Sequence, residues 1–208
     1  MNNIDEIFNY LNGLFPNPKC ELNYQNPFQL LIAVILSAQC TDKRVNTVTP
    51  ILFEKYPTPQ ALGNAKNEDV EEIIRPLGFF RNKANAIITC SKQLYEEFGG
   101  EVPNDVDKLQ KLQGVGRKTA NVVTAEVFHA NNIGVDTHVF RVAHRLGLSQ
   151  GNTPEQVEKD LRTAFIGRDL SKDHFLLVLF GRYNCKAVKP NCKECKLRDI
   201  CKYFAENN

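Results

Sequence analysis

The sequence predicts an all-α fold, and three observations support this prediction. Apolar residues recur three or four positions apart along most of the chain, which is typical of helices with one buried face. No segment shows the sustained alternation of apolar and polar residues that a half-buried strand requires. Helix-breaking residues separate the apolar segments, as at Pro57-Thr58-Pro59, Gly99-Gly100 and Asn131-Asn132.

The helices can be predicted in chain order. The run from Phe28 to Leu36 is apolar except at Gln29, which predicts a helix buried in the middle of a bundle. Pro50 lies inside a helical pattern, so that helix is predicted to kink or end near Thr49. Four apolar stripes predict further helices: Ile4, Ile7, Phe8, Leu11 and Leu14; Ala84, Ile87, Ile88, Ser91, Leu94, Tyr95 and Phe98; Val139, Val142, Ala143 and Leu146; Val157, Leu161, Ala164 and Phe165.

Composition excludes several classes of protein. The chain has 208 residues, 42% hydrophobic and 24% charged, which is ordinary for a globular protein of one or two domains. The longest apolar run, Leu30 to Leu36, is too short to span a membrane. Residues 1–6 lack the basic and apolar segments of a signal peptide, so we expect a cytoplasmic protein.

The net charge of +2 hides an uneven distribution. Residues 68–72 form an acidic cluster, which we interpret as a solvated helix face. Between Arg182 and Lys202, seven basic residues against two acidic ones leave a local charge of +5. This basic region keeps a nucleic-acid partner open despite the small total charge.

Four of the seven cysteines form a C-terminal cluster. Cys185, Cys192, Cys195 and Cys201 follow the pattern C-x6-C-x2-C-x5-C, which can wrap one soft metal centre. Zinc and a [4Fe-4S] cluster both accept four cysteines, and the wide first spacing favours iron–sulfur. We expect the other cysteines, Cys20, Cys40 and Cys90, to be core or half-buried thiols.

A glycine hairpin and an aspartate are the other candidate site features. Gly114-Val115-Gly116 allows a tight turn at a helix N-terminus, which can bind an anion or simply connect two helices. It is not a P-loop, because Arg117 stands where that motif requires glycine. Asp136 precedes an apolar-periodic run and is a good helix N-cap, a role that could explain it without catalysis.

Four motifs together resemble the endonuclease III family of helix-hairpin-helix (HhH-GPD) DNA glycosylases. They are Leu36-Ser37-Ala38-Gln39, the segment 114–123, the segment 135–142 and the cysteine pattern, in that order. The resemblance implies a two-lobed all-α fold: a six-helix barrel at 20–130, an iron–sulfur domain at 1–19 and 131–208, and a DNA cleft between them. It implies excision of oxidised pyrimidines from duplex DNA followed by strand nicking, a [4Fe-4S] cofactor and a monomer.

The resemblance also assigns the chemistry. Lys118 would be the nucleophile that attacks C1′ of the deoxyribose and forms a Schiff base. Asp136 would stabilise the developing positive charge or take up a proton from the attacking lysine. A damaged nucleotide must leave the base stack for this reaction, at a cost of a few kcal/mol.

Further residues are implied to contact DNA. Gln39 would fill the gap left by the flipped base, and Phe79 would act as a wedge, with core packing as its alternative role. His138 would contact a phosphate, polarise Asp136 or make only a structural hydrogen bond. The residues expected to contact phosphates are Gly114, Val115, Gly116, Arg117, Arg141 and Arg145, with Lys186, Lys189, Lys193 and Lys196 beside the cysteines.

Three alternatives stay open. A monofunctional adenine mismatch glycosylase shares the hairpin, the aspartate and the cluster. However, it lacks a lysine at the position of Lys118 and has a further domain, whereas this chain stops seven residues after Cys201. A non-enzymatic iron–sulfur protein that binds DNA or senses redox state would have no use for Lys118 and Asp136. A related glycosylase could instead act on uracil or alkylated bases.

Overall fold

The computed structural model describes residues 3–207 and confirms the all-α prediction. Within this range there are twelve α-helices, two 3₁₀ turns and no strand. The helices are α1 Asn3–Leu14, α2 Pro27–Leu36, α3 Asp42–Lys55, α4 Pro59–Gly63, α5 Asn67–Ile74, α6 Phe80–Phe98, α7 Val106–Leu109, α8 Arg117–Phe128, α9 Thr137–Arg145, α10 Pro154–Ala164, α11 Leu170–Tyr183 and α12 Lys202–Asn207; the 3₁₀ turns are Cys192–Glu194 and Arg198–Ile200. None of these described helices is long and apolar enough to cross a membrane.

The described residues fall into two compact units. The continuous unit spans Glu21–Phe128 and contains α2 to α8. The split unit takes the described residues of Met1–Cys20 and His129–Asn208, and so contains α1 together with α9 to α12. The split unit is therefore built from both ends of the chain, and the continuous unit from the segment between them.

Helix α2 is the buried helix of the continuous unit. All residues from Phe28 to Leu36 are buried, including Gln29, as the apolar run predicts. The side chain of Asn26 accepts a hydrogen bond from the Gln29 N–H (2.9 Å) and caps the helix, with Pro27 at the first position. Helix α2 packs against α3, α6 and α8, and its C-terminus leads directly into the turn that carries Gln39.

One expectation for the continuous unit needs correction. Of the two outcomes expected for the helix that contains Pro50, a kink or an end near Thr49, the end is wrong, because the helix continues to Lys55. Proline lacks the N–H that would bond to the carbonyl four residues earlier, which weakens a helix locally. Here Val48 and Leu52, on either side of the proline, are almost fully buried. Their burial favours the continuous helix over a break.

The split unit packs the two chain ends around one apolar core. Ile7, Phe8 and Leu11 of α1 lie in the same buried cluster as residues of α9, α10 and α11. The Phe8 ring meets Phe165 edge-on, with ring centroids 4.9 Å apart. This core is also the surface against which Cys185, Cys195 and Cys201 pack.

Candidate functional site

The glycine hairpin joins α7 to α8 in the continuous unit. Gly114 has a φ of +79°, in the left-handed region, and a Cβ added there would lie 3.2 Å from the Ala86 Cβ and 3.3 Å from the Ile35 Cγ2. Both the backbone conformation and the available space therefore require glycine. The Val115 N–H closes the turn by donating to the Leu112 carbonyl (3.1 Å). The hairpin is thus seated on α2 and α6.

The hairpin leaves several backbone N–H groups unbonded. Within residues 3–207, the amides of Gly114, Gly116 and Lys118 donate no hydrogen bond. Amides at a helix N-terminus attract anions, because the helix dipole adds partial positive charge there. Val115 differs from its predicted role, since its N–H is bonded to Leu112 and its side chain is buried. Val115 anchors the turn rather than presenting a group to a ligand.

Lys118 is the second residue of α8 and is exposed. In the described part of the chain, its side chain has no hydrogen-bond or ion-pair partner. The helix fixes its backbone directly beside the unbonded hairpin amides. The Lys118 amine is therefore accessible to a molecule that these amides hold.

Gln39 and Phe79 have the same unusual backbone conformation. Their φ values are 54° and 55°, in the left-handed region that costs a residue with a Cβ about 1 kcal/mol or more. Gln39 is exposed in the turn after α2, and Phe79 is exposed directly before α6. With 66% of its surface exposed, Phe79 is not a core residue, so core packing does not explain it. Strained residues of this kind are concentrated at functional sites.

Asp136 caps α9 in the split unit, as predicted. Its Oδ1 accepts hydrogen bonds from the backbone N–H groups of His138 and Val139, both at 2.8 Å. Its Oδ2 has no hydrogen-bond partner among the described residues, and the side chain is half-buried. The cap therefore fixes one carboxylate oxygen and leaves the other for a ligand.

Hydrogen bonds from Arg141 connect the start of α9 to Cys185, the first of the four C-terminal cysteines. Its Nε donates to the Cys185 carbonyl (3.1 Å), and its Nη2 donates to the Gly181 carbonyl (2.7 Å). Nη1 donates to the Thr137 carbonyl (3.3 Å), and Nη2 also lies 3.2 Å from Nδ1 of His138. Because most of its N–H groups bond within the protein, the structure does not favour the predicted phosphate contact. It favours a positioning role for Arg141.

His138 belongs to the same hydrogen-bonded group. Burial lowers the pKa of His138 below its usual value, although the Asp136 carboxylate acts in the opposite direction. A neutral ring can accept the Arg141 N–H at Nδ1, whereas a doubly protonated ring cannot. Of the predicted roles for His138, this geometry supports the structural hydrogen bond directly.

Gly181 is a site-supporting residue that the sequence reasoning missed. A Cβ at this position would lie 2.9 Å from the His138 Cβ and 3.1 Å from the Val142 Cγ2. Glycine therefore allows α11 to approach α9 closely enough for Arg141 to reach the Gly181 carbonyl. The sequence contained one signal for this role. Gly181 lies inside the apolar helix at 170–183, where glycine lowers helix propensity, so its presence needs another reason.

Arg145 fixes the loop that follows Cys185. It donates to the carbonyls of Lys186 (2.7 Å) and Ala187 (3.2 Å), and its Nη1 lies 3.4 Å from the Cys185 sulfur. Its guanidinium also lies over the Tyr203 ring, 4.3 Å from the centroid. Because these contacts occupy its guanidinium, the structure favours a structural role for Arg145 over the predicted phosphate contact.

The four C-terminal cysteines line one pocket, part of which is open to solvent. Apolar residues, among them Leu146, Phe180 and Phe204, complete its wall. No three His, Cys, Asp or Glu side chains within residues 3–207 are gathered tightly enough to hold a single metal ion.

The donor set of this pocket fits a metal cluster. Burial raises the pKa of the Cys192 and Cys195 thiols, and the neighbouring cysteine thiolates add to the rise. Four thiolates together thus require a positively charged centre, which iron or another soft metal supplies.

The segment between the cysteines presents basic side chains. Lys186, Lys189, Lys193 and Lys196 are all exposed, and Lys189 has a φ of 50°. Arg145 holds the carbonyls at the start of this segment, so its backbone is fixed while its lysines face solvent. Such a surface is suited to a polyanion.

Comparison with known sequences places these features in a family. The family model of the HhH-GPD superfamily base excision DNA repair protein matches residues 32–165. The chain is 48% identical over 204 residues to endonuclease III of Rickettsia conorii, covering 98% of this chain and 96% of that protein. It is 43% identical to endonuclease III of Escherichia coli K12, covering 95% and 94% of the two chains.

Solved structures agree with this match. The fold superposes with a TM-score of 0.93 on a trapped endonuclease III–DNA covalent intermediate, at 45% identity over 98% of this chain and 96% of that one. A thermostable thymine-DNA glycosylase at 21% identity shares the fold, with a TM-score of 0.87. The chain belongs to the endonuclease III family within the HhH-GPD superfamily of base excision DNA repair proteins.

Proposed function

We propose that this protein is a bifunctional DNA glycosylase and AP lyase, which excises oxidised pyrimidines from duplex DNA and then cuts the strand 3′ of the abasic site. The observation that carries the proposal is the placement of Lys118. Its exposed amine lies in the first turn of α8, directly after a hairpin with unbonded amides. The adenine mismatch alternative has no lysine at this position, and a non-enzymatic role leaves the lysine unused.

The continuous unit binds and opens the DNA in this proposal. The amides of Gly114 and Gly116 bind a phosphate, and Arg117 adds positive charge at the same helix end. Gln39 and Phe79 enter the duplex when the damaged nucleotide flips out. Their exposed side chains and left-handed backbones support this assignment, because the turns present them away from the core.

Lys118 then performs the covalent chemistry. The neutral Nζ attacks C1′, the N–C1′ bond forms, and the glycosidic bond breaks with its electron pair leaving on the base. Loss of a proton from nitrogen and opening of the sugar ring give the Schiff base. The imine acidifies the C2′ proton, and removal of this proton expels the 3′ phosphate by β-elimination.

Asp136 provides the negative charge for this reaction. Its Oδ2, which no described residue bonds, stabilises the positive charge that develops on the sugar or accepts a proton from the attacking amine. The two N–H groups on Oδ1 keep the carboxylate in place. Arg141 and His138 are positioning residues in this scheme, because they act on the start of α9 and touch no reacting atom.

Cys185, Cys192, Cys195 and Cys201 hold a [4Fe-4S] cluster in the proposed protein. When bound, the cluster cross-links the C-terminal segment and needs to supply no chemistry to base excision. The wide spacing between Cys185 and Cys192 supports an iron–sulfur cluster over a single zinc ion. The lysines between the cysteines contact the DNA backbone, and one copy of the chain suffices because it contains both catalytic residues.

Borohydride trapping tests the proposed reaction. Wild type mixed with duplex DNA containing an oxidised pyrimidine should give a covalent complex on reduction, and Lys118→Ala should give none. Lys111→Ala is the matched control, since Lys111 is an exposed lysine just before the hairpin. Base release without any trapping would overturn the bifunctional mechanism, and trapping that persists in Lys118→Ala would assign the nucleophile to another amine.

Absorption spectroscopy tests the proposed cofactor. Purified protein should be yellow-brown with a broad band near ~400 nm from iron–sulfur charge transfer. A colourless protein that contains one zinc ion per chain would contradict the cluster.

A further inference from the structure

A cleft lies at the N-terminal end of α2, and none of the residues assigned above to DNA or to catalysis lines it. Its volume is about 380 Å³, which is within the range of small-molecule sites. The walls come from the segment 23–25, from Gln29 in the first turn of α2, and from Thr49, Pro50, Phe53 and Glu54 of α3. At 1.5 Å for each helical residue, α2 separates this cleft from the turn after its C-terminus by about 15 Å. The cleft is therefore a separate place in the continuous unit.

Hydrogen bonds fix the segment that forms one wall of the cleft. Asn46 of α3 holds this segment twice: its Oδ1 accepts from the Asn23 N–H, and its Nδ2 donates to the Glu21 carbonyl, both at 2.8 Å. The Tyr24 hydroxyl donates to the Glu126 carboxylate (2.7 Å). Since this wall is held in place by the protein itself, a ligand does not have to order it on binding.

Gln29 supplies a hydrogen-bond donor in a fixed orientation. The side chain is only 8% exposed, and its Oε1 accepts from the Gln25 N–H (2.9 Å), so its Nε2 is the free end of the amide. This Nε2 has no hydrogen-bond partner among the described residues, yet it is not sealed from solvent. A largely buried donor without a partner suits a carbonyl group of a ligand.

The electrostatics of the cleft favour an uncharged ligand with N–H donors. Glu54 is exposed, and no described residue bonds its carboxylate. None of the described residues that line the cleft is a lysine or an arginine. A phosphate or a carboxylate on the ligand would therefore lack a cation here, whereas an amino group can donate to Glu54.

Flat side chains complete the cleft. Tyr24 and Phe53 contribute aromatic rings, and Pro50 contributes its pyrrolidine ring. The Phe53 ring packs in turn against Phe28, with ring centroids 6.4 Å apart. Rings of this kind pack against the faces of a planar heterocycle.

We infer that this cleft binds a free cytosine base or its nucleoside. The Gln29 Nε2 donates to the ring carbonyl, and the Glu54 carboxylate accepts from the exocyclic amino group, which is the contact that carboxylates make with cytosine. The ring packs between the flat side chains of the walls. Because neither Lys118 nor Asp136 takes part, the inference does not depend on the proposed function.

The test is a titration of the isotope-labelled protein with cytidine, followed by NMR of the Gln29 side-chain amide. The signals of this amide should move and reach saturation, while those of the hairpin at 112–118 stay in place. Uridine should bind about tenfold more weakly, because it presents a carbonyl to Glu54 where cytidine presents an amino group. Cytidine 5′-monophosphate should also bind more weakly than cytidine, since no lining residue balances its phosphate.

Two variants assign the contacts. Glu54→Ala should weaken cytidine binding about tenfold and remove the preference over uridine. Glu97→Ala is the matched control, because Glu97 is an exposed glutamate of the same unit outside the cleft. Gln29→Met, which keeps the side-chain length without the amide, should abolish saturable binding, and its thermal unfolding shows whether the variant is folded.

The absence of a saturable shift at the Gln29 amide of wild type would overturn the inference, and so would equal affinities for cytidine and uridine. Neither comparison requires a variant to fold. Unchanged cytidine affinity in Glu54→Ala would also overturn it. Because these experiments contain no DNA, their failure is distinct from failure of the glycosylase proposal.

Discussion

The two proposed catalytic residues have very different surroundings. Lys118 is exposed, has no side-chain partner in the described chain and follows a turn with unbonded amides. Asp136 is half-buried, bonded to two amides, and followed by His138 and Arg141, which connect it to Gly181 and Cys185. A nucleophile must reach its target, whereas an electrostatic group works best when its position is fixed in advance. Because Asp136 depends on this hydrogen-bonded group, we expect substitutions that touch no reacting atom to reduce activity more in the split unit than in the continuous unit.

The largest effect is expected from Asp136→Asn. Asparagine caps helices as well as aspartate does, so this variant should keep its thermal stability. Loss of the negative charge should reduce base excision by about 10²- to 10³-fold. Single-turnover excision and thermal unfolding are the measurements.

Asp136→Ala is the informative companion variant. It should lose the same activity and also about 1 kcal/mol of stability, because the cap is gone. If Asp136→Asn retained full excision activity, capping alone would account for Asp136.

The next largest effect is expected from Arg141→Met. This change removes the Arg141 donors from the Gly181 and Cys185 carbonyls, the second of which keeps only a 3.4 Å contact with Arg145, and should destabilise the protein by about 2 kcal/mol. Hydrogen exchange should quicken at the start of α9 and around Cys185, while the exchange of the buried helix α2 in the continuous unit stays unchanged. Arg75→Met is the control, as Arg75 is exposed in the continuous unit. Equal exchange in Arg141→Met and wild type would remove the proposed positioning role.

A smaller effect on stability is expected in the continuous unit from Gly114→Ala. The left-handed φ and the close Ala86 and Ile35 contacts predict a loss of about 1 to 2 kcal/mol. Gly116→Ala should change stability by less than about 0.5 kcal/mol, since its Cβ meets no atom within 4 Å.

Affinity for DNA tests the hairpin separately from its stability. Gly116→Ala should nevertheless bind lesion DNA more weakly, because the added methyl group obstructs the approach of a phosphate. Chemical denaturation measures the change in stability, and fluorescence anisotropy measures the change in affinity for DNA. Unchanged DNA affinity in Gly116→Ala would contradict phosphate binding at the hairpin.

The smallest effect is a pH dependence that belongs to His138. Its pKa is lower in the folded protein than the usual value of about 6.5, so the neutral ring contributes stability above that pH. This contribution is lost as the pH falls through the lowered folded pKa. Between pH 7.5 and pH 5, the Tm of wild type should therefore fall further than the Tm of His138→Gln. Parallel Tm curves for the two proteins would show that His138 does not titrate in this way.

The parts of the site that depend on local rules were predictable. The Asp136 cap, the left-handed Gly114 and the buried α2 follow from residue type and periodicity over a few neighbouring positions. The roles of Arg141 and Arg145 were not, because their acceptors lie about forty residues away and a pair of arginines four positions apart equally suits phosphates. The local pattern also left open whether α3 ends near Thr49 or continues through Pro50, since long-range burial outweighed a local breaker.

The division of the chain has a consequence for how the protein is made. The continuous unit is complete once Phe128 has left the ribosome, whereas α1 must wait for α11 before it can bury Phe8 and Leu11. At ordinary translation rates this wait lasts roughly ten to thirty seconds. The unit that carries Lys118 can therefore fold while the unit that carries Asp136 is still being synthesised. The core of the unit that carries Asp136 also includes Leu197, so it is completed only as the C-terminal cysteines emerge.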